Sequence, residues 1–307
     1  MTLTELKYLV AVARERHFGK AAEACFVSQP TLSVAIKKLE DELGVAIFER
    51  GKTEISITAI GERIIEQAQR VLEETAAIKH IAQQGQDQLN GPLQLGAIYT
   101  IGPYLLPHII PILHETTPTM PLIIEENYTS RLNERLKLGD LDAIVISLPF
   151  DEPGIVTLPL YDEPFYVVAP ADHPWRDRKT ININELASQN LMLLGPGHCF
   201  RDQVLSACPS CNPTAVIEGS IQKTVQGSSL ETIRHMVASG MGITVLPCAA
   251  TVPDQYIQQL LTVRPFTEPA PKRRVALAWR TSFPRPKAIE AVRQAILACN
   301  LDCVTYL

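Results

Sequence analysis

The sequence predicts a large α/β region preceded by a smaller helical head, and three observations carry that prediction. From residue 93 onward, short apolar runs alternate with helical patterns, as in buried, mainly parallel strands joined by helices. Residues 58–86 form one amphipathic stripe without a proline, which predicts a long helix. Residues 1–58 hold short helical patterns and then an alternating stretch around a glycine, which predicts a helical head with a β-hairpin.

Composition indicates a globular protein with room for two or three domains. The 307 residues are 46% hydrophobic and 20% charged. No apolar run approaches the roughly 20 residues needed to cross a bilayer, and the N-terminus lacks a basic start followed by an apolar core. The seven cysteines, an odd number scattered from Cys25 to Cys303, do not resemble a secreted disulfide framework. We therefore expect a cytoplasmic protein with no membrane partner and with reduced thiols at rest.

The head has the pattern of a helix-turn-helix. A short helical pattern over residues 20–25 is followed by Ser28, which can cap a helix beginning at Gln29. Pro30 lies in the first turn of that helix, where a missing N–H is harmless. Residues 47–58 then alternate around Gly51, which predicts a β-wing. An ordinary three-helix core would give the same pattern.

Charge alone does not indicate a nucleic-acid partner. The net charge is −5, whereas proteins that bind nucleic acid are usually basic. Residues 1–60 hold eight basic and eight acidic side chains, so a basic surface there requires sorting of charge onto one face.

A second candidate region lies between Gly195 and Cys211. Gly195-Pro-Gly197 ends an apolar run, and His198-Cys199-Phe-Arg201 then places a thiol beside a histidine and an arginine at the predicted start of a helix. A thiol at a helix N-terminus near cationic groups loses its proton more readily, and the thiolate is the form that attacks oxidants.

The spacing of Cys199 and Cys208 has a geometric consequence. In one helix, nine steps of about 100° place the two residues on opposite faces, with their Cα atoms roughly 13 Å apart. A disulfide needs Cα atoms about 4.4–6.8 Å apart. Oxidation would therefore require the segment to unwind, which couples it to a conformational change. Two unrelated core cysteines explain the spacing equally well.

Polar residues at predicted strand ends indicate where a ligand site lies. In open α/β sheets the carboxyl ends of strands line the ligand crevice, so we expect these groups to converge. They include Thr100, Thr129, Ser147, His198, Cys199, Ser228 and Ser229.

Two strings resemble one family of proteins. Ser28-Gln-Pro-Thr-Leu-Ser33, with Leu43-Gly44 and Phe48-Glu-Arg50 after it, is similar to the winged helix-turn-helix of LysR-type transcription regulators. Gly197-His-Cys-Phe-Arg-Asp-Gln203 resembles the sensing loop of the members of that family that respond to hydrogen peroxide. The resemblance covers the whole chain. It implies a regulator of antioxidant genes, not an enzyme, that needs no cofactor or metal and has an operator DNA, hydrogen peroxide and RNA polymerase as partners.

The resemblance also implies a domain plan. Residues 1–58 would form the winged helix-turn-helix, and 59–90 a linker helix and hinge through which two copies dimerise. The effector domain would have two Rossmann-like lobes, as in periplasmic binding proteins: 91–161 with 268–307, and 162–267 with the thiol loop. The whole assembly would be a homotetramer, a dimer of dimers.

Site residues follow from the same resemblance. Cys199 would be oxidised first and would then form a disulfide with Cys208, Cys211 being a departure from the expected pattern. The residues expected around the peroxide are Thr100, Thr129, His198, Arg201, Asp202 and Arg280. The residues expected to face the major groove are Gln29, Pro30, Thr31, Ser33 and Lys37, and those expected on phosphates are Ser28, Lys38, Arg50 and Lys52.

Three other interpretations stay open. A LysR-type regulator that senses a small metabolite would use the cleft between the lobes without thiol chemistry. A zinc module could use Cys208 and Cys211 with His198, although a second close Cys/His pair is missing. A dedicated peroxidase would share the first chemical step. We interpret Cys25, Cys248, Cys299 and Cys303 as structural.

Overall fold

The computed structural model describes residues 1–50, 55–83, 88–211, 226–251, 259–301 and 303–307. They form two compact units. The first consists mainly of Met1–Gln86, and the second mainly of Asp87–Leu136, Leu141–Thr281 and Arg285–Leu307.

The first unit is helical with a two-stranded wing. Its helices are α1 (Leu3–Glu15), α2 (Phe18–Ala24), α3 (Gln29–Leu43) and α4 (Ala59–Gln83). Its strands β1 (Phe48–Arg50) and β2 (Ile55–Ile57) pair antiparallel, which confirms the predicted wing. The Ser28 side chain accepts a hydrogen bond from the Thr31 N–H at 3.3 Å and so caps α3, as its position before Pro30 predicts.

One apolar cluster holds these helices together. Its fully buried members come from three helices and from the residue before the wing: Leu9, Val12, Ala21, Leu32, Ile36, Leu39 and Ile47. Because Leu32, Ile36 and Leu39 recur at helical spacing, burying them leaves the opposite face of α3 in water.

The second unit has a mixed sheet. The strand order is β4-β3-β5-β11-β6-β9-β7-β8, and β10 and β12 also pair with β6. The strands are β3 (Leu93–Ile98), β4 (Leu122–Asn127), β5 (Ala143–Ser147), β6 (Ile155–Pro170), β7 (Leu191–Leu194), β8 (Gln226–Gly227), β9 (Ile243–Pro247), β10 (Leu261–Pro265), β11 (Lys272–Arg280) and β12 (Thr305–Tyr306). The helices are α5 (Gly102–Thr116), α6 (Thr129–Leu138), α7 (Cys199–Ala207), α8 (Leu230–Ala238) and α9 (Pro286–Ala298). The predicted α/β architecture is confirmed.

Strand β6 joins the two halves of this sheet. Its residues 155–164 pair with β11, whereas Phe165–Val168 pair with β9. The chain leaves the first half along β6 and returns along β11 beside it, so the two strands run antiparallel. The prediction of mainly parallel pairing is therefore wrong around β6, although β3 with β4 and β7 with β9 are parallel. The exact lobe boundaries stay a prediction.

Among the helices in the described ranges, none combines the length and the apolar character needed to cross a bilayer.

Candidate functional site

A small cavity lies where β3 and β4 end and α7 begins. Its volume is about 10 Å³, so it has room for one molecule of about the size of water. The lining residues follow two strand ends or form the turn into α7: Ile98, Tyr99, Thr100, Asn127, Tyr128, Thr129, Gly197, His198 and Cys199. Four residues expected from the sequence thus come together, Thr100, Thr129, His198 and Cys199.

The hydroxyl of Thr129 is one of the polar groups that line this cavity. Its Oγ1 is buried, and it has no hydrogen-bond partner among the described residues. A buried hydroxyl without a partner costs free energy, so such groups usually meet a ligand or an ordered water. Thr129 therefore offers both a donor and an acceptor to a small polar molecule.

Thr100 is held by a buried arginine. Arg273 donates from Nη1 to Thr100 Oγ1 and from Nη2 to the Thr100 carbonyl oxygen, both at 2.8 Å. Arg273 Nε also donates to Glu163 Oε2 at 2.7 Å, and each of these two side chains is 1% exposed. Because Thr100 Oγ1 accepts from Arg273, its own O–H remains to be donated elsewhere.

Aromatic rings surround His198 at the wall of the cavity. The imidazole centroid lies 4.8 Å from that of Tyr128 and 6.0 Å from that of Tyr99. Burial lowers the pKa of His198, so the ring is neutral at neutral pH. The sequence suggested a cationic histidine beside Cys199, whereas this burial favours the neutral imidazole.

The other three residues expected around the peroxide do not line the cavity. Arg201 is directed to the chain preceding α7, since its Nη1 donates to the Leu194 carbonyl oxygen at 2.9 Å. Asp202 is exposed in the first turn of α7. Arg280 is buried and donates to the carbonyl oxygens of Leu136 and Leu141. The structure does not bring these three side chains to the cavity, and their part in the chemistry stays a prediction.

Arg273 supports the cavity wall, and sequence reasoning missed it, as it missed the lining residues Tyr99 and Tyr128. Arg273 lies at the start of β11, in the run Lys272-Arg273-Arg274. Such a run ordinarily indicates a solvated strand end, and Lys272 and Arg274 are indeed half exposed. The alternation of a strand is the one available signal, because it points the middle residue to the opposite face.

The cysteines at positions 199, 208 and 211 have a definite arrangement. Cys199 is a free, half-buried thiol at the first position of α7. Cys208 follows the last residue of the helix, is 0% exposed, and forms a disulfide with Cys211 with a Cα–Cα distance of 5.4 Å. The predicted helix between Cys199 and Cys208 is confirmed. Their predicted bond to each other is not the one in this structure and stays a prediction.

Core packing and side-chain contacts hold α7 in place, with Phe200 and Val204 buried in the apolar core. The Phe200 ring packs edge-on against Phe165, with centroids 4.9 Å apart, and the Arg273 guanidinium lies 5.4 Å from the Phe200 centroid. Gln203 Nε2 donates to Ser147 Oγ at 2.8 Å.

The first unit presents the expected polar helix end to solvent. Ser28, Gln29, Pro30, Thr31, Lys37 and Lys38 are exposed, and Ser33 is half buried. Lys38 Nζ also lies 3.3 Å from Glu5 Oε1. Arg50 ends β1, and Lys52 lies outside the described residues.

Two apolar side chains on this surface were not expected. Val34 of α3 is 67% exposed, and Phe26, in the turn before α3, is 96% exposed with φ +56°. A bulky residue with positive φ is uncommon. Apolar groups beside a recognition helix can contact thymine methyl groups.

A wing beside a helix-turn-helix, followed by a two-part α/β domain, is the architecture of a LysR-type transcriptional regulator. The comparisons agree. Residues 3–62 match the family described as bacterial regulatory helix-turn-helix protein, lysR family, and residues 86–299 match the LysR substrate binding domain.

Relatives make the assignment narrower. The chain is 40% identical over 299 residues to the DNA-binding transcriptional dual regulator OxyR of Escherichia coli, covering 97% of this chain and 95% of that protein. A full-length OxyR variant from Pseudomonas aeruginosa is similar in structure, with 56% identity and a TM-score of 0.72 over 98% of this chain and 96% of that one. A reduced OxyR from Neisseria meningitidis has 47% identity and a TM-score of 0.66 over 70% of this chain and 99% of that one. The chain therefore belongs to the LysR family and, within it, to the OxyR group.

Proposed function

We propose that this chain is a peroxide-sensing transcription regulator in which Cys199 reacts with hydrogen peroxide in the cavity at the start of α7. One observation carries the proposal: a free thiol shares a cavity of about 10 Å³ with the unpartnered hydroxyl of Thr129. A cavity of this size suits peroxide and falls far below the roughly 300–1,000 Å³ of sites that bind metabolites. The names of the relatives support the same ligand, since several are called hydrogen peroxide-inducible genes activators.

The first chemical step uses the groups of the cavity. The Cys199 thiolate attacks one peroxide oxygen, the O–O bond breaks, and the sulfur becomes a sulfenic acid. The other oxygen leaves as hydroxide and takes a proton to become water. Thr100 is suited to donate toward the leaving oxygen because Arg273 occupies its acceptor side. Thr129 can orient the peroxide by donating or accepting.

The second step joins Cys199 to Cys208 and requires reduced Cys208. The Cys208 sulfur attacks the sulfenic sulfur and forms a disulfide with loss of water. Since α7 separates the two residues by its whole length, this bond forms only after the helix unwinds. The refolded segment changes the surface of the α/β domain and so changes how the protein is assembled on DNA.

Cys211 can return Cys199 to its reduced form. Its thiolate can attack the Cys208 sulfur of a Cys199–Cys208 disulfide, which forms a Cys208–Cys211 bond and releases Cys199 as a thiolate. The Cys208–Cys211 disulfide and the free Cys199 are the arrangement that such an exchange would produce.

The helical head supplies DNA binding in this proposal. Gln29, Pro30, Thr31, Ser33 and Lys37 would meet base edges in the major groove. Ser28, Lys38, Arg50 and Lys52 would hold phosphates. A dimer of dimers on an approximately palindromic operator, acting through RNA polymerase in the cytoplasm, completes the proposal.

The test is the peroxide response of an operator-controlled reporter in cells. We expect Cys199→Ser to abolish the response while operator binding by the reduced protein is kept. Cys25→Ser is the matched control, because Cys25 is also free and half buried but lies in the head. A normal peroxide response in Cys199→Ser would overturn the proposal and would favour metabolite sensing.

A further inference from the structure

Cys248 and Cys303 form a second disulfide, with Cα atoms 6.0 Å apart. Cys248 follows β9 directly, and β9 pairs with the second half of β6. Cys303 precedes β12, which pairs with Tyr161 and Asp162 in the first half of β6. The bond therefore joins the two halves of the sheet near the point where β6 changes partners.

The two sulfurs have different surroundings. Cys248 is 1% exposed, and its Sγ lies 4.0 Å from Glu163 Oε1. Cys303 is half exposed and is the one an external reagent can reach.

A third cysteine of the same region, Cys299, takes no part in this disulfide. Cys299 is buried, its Sγ lies 3.0 Å from the Ile296 carbonyl oxygen, and burial raises its pKa. It is unpaired while Cys248 and Cys303 are bonded to each other. Cys299 thus provides a neighbouring cysteine of the same segment for comparison.

We propose that Cys248 and Cys303 are a second redox site, which is oxidised by low-molecular-weight disulfides such as glutathione disulfide. Its oxidation does not require the Cys199 thiol. The Cys303 thiolate attacks one sulfur of the small disulfide, which forms a mixed disulfide and releases one small thiol. Cys248 then attacks the Cys303 sulfur and releases the second small thiol. The protein loses two electrons and two protons, and the small disulfide gains them.

A continuous set of contacts runs from this pair to the peroxide cavity. The residue after Cys248, Ala249, donates its N–H to Glu163 Oε1 at 3.0 Å. Glu163 holds Arg273 through its other oxygen, and Arg273 holds Thr100 at the cavity. The Cys248–Cys303 bond fixes the segment that begins this set, so oxidation of the pair keeps the Thr100 hydroxyl directed into the cavity. This consequence rests on the proposed function, whereas the redox pair itself does not.

The first experiment tests the pair on the full-length protein. Fully reduced protein is equilibrated with glutathione and glutathione disulfide at several ratios, quenched with acid, alkylated and mapped by mass spectrometry. We expect a Cys248–Cys303 peptide pair that increases with the fraction of glutathione disulfide and that is equally abundant in Cys199→Ser and in Cys299→Ser. Absence of this pair at every ratio, or pairing of Cys303 with Cys299, would overturn the proposal.

The second experiment tests the connection to the cavity. The rate of Cys199 oxidation by hydrogen peroxide is measured with the pair oxidised and with the pair replaced by Cys248→Ser and Cys303→Ser. We expect the oxidised form to react faster by roughly two- to tenfold, as expected when one ordinary hydrogen bond is better oriented. Equal rates would refute the connection. Failure of Cys199 to react in either form would refute the proposed function and leave the mapped pair standing.

Discussion

Arg273 and Thr100 are joined by two hydrogen bonds of 2.8 Å, one to the Thr100 hydroxyl and one to its carbonyl oxygen. The two residues are 173 positions apart in the chain, and both are buried. This contact, made from the start of strand β11, fixes Thr100 in the wall of the cavity that Cys199 also lines. Arg273 of β11 thus contacts a residue of the cavity wall, whereas Arg280 of the same strand donates to the carbonyl oxygens of Leu136 and Leu141 and its predicted role stays a prediction.

The buried Arg273–Glu163 pair is expected to be important for stability. Arg273→Gln leaves the Glu163 carboxylate buried with one oxygen unpaired, which should lower the free energy of unfolding by about 3–5 kcal/mol. Arg274→Gln is the matched control on the same strand. Arg274 is half exposed, so its loss should cost about 1 kcal/mol or less. Urea unfolding of both variants measures the difference, and equal midpoints would contradict this account of the pair.

The unpartnered Thr129 hydroxyl is expected to act on peroxide. Thr129→Val keeps the shape of the side chain and removes the hydroxyl, so Cys199 oxidation should slow by about tenfold, the equivalent of one hydrogen bond. Thr129→Ser retains the hydroxyl and should stay close to the wild-type rate. The measurement is the second-order rate constant with hydrogen peroxide. Equal rates in the valine and serine variants would show that Thr129 only fills space.

Acid stability should depend on Asp162. Hydrogen bonds from Arg274, opposed by partial burial and aided by Lys272, lower the pKa of this carboxyl from 3.8 to about 2. A carboxyl with a lowered pKa stabilises the folded state above its unfolded pKa, and this contribution is lost as the pH falls from about 4 to about 2.

The loss should amount to at most about 2 kcal/mol. We expect Asp162→Asn to unfold more easily at pH 6 and to show a flatter pH dependence between pH 4 and pH 2. Parallel curves for the variant and the wild type over that range would contradict the assigned cause.

Local pattern predicted most of the elements, because the signals for a helix or a short buried strand lie within the element itself. The β6 strand shows the limit. Only Phe165–Val168 were predicted, since Pro159, Asp162 and Pro164 interrupt the apolar pattern. The Asp162 carboxylate accepts hydrogen bonds from Lys272 and Arg274, which lie more than 100 positions away in the chain.

The candidate site shows the same limit. Strand ends and the Gly197-His-Cys-Phe-Arg string predicted four of the residues that line the cavity, Thr100, Thr129, His198 and Cys199. The string did not reveal that His198 is buried and neutral, nor that Arg201 is directed at a backbone carbonyl. Burial and side-chain direction depend on the whole fold, and the spacing of residues along the chain does not determine them.

DNA binding should separate into a sequence-independent and a sequence-specific part. Lys38→Ala removes an expected phosphate contact, so it should weaken binding to all sequences and reduce the slope of affinity against salt by about one. Gln29→Ala should instead relax specificity at one base pair, by about 1–3 kcal/mol. Both side chains are exposed in the free protein. Affinities for operator and random DNA at several salt concentrations check this, and the reverse assignment of effects would contradict it.

The most direct test of the central claim is disulfide mapping by mass spectrometry of the fully reduced protein after a brief pulse of hydrogen peroxide. The account predicts a Cys199–Cys208 peptide pair first, with a Cys208–Cys211 pair appearing later as Cys211 exchanges with it. In Cys211→Ser protein the first pair should persist. Cys199 recovered as a free thiol at every time point, while the other cysteines change, would contradict the claim that Cys199 is the peroxide sensor.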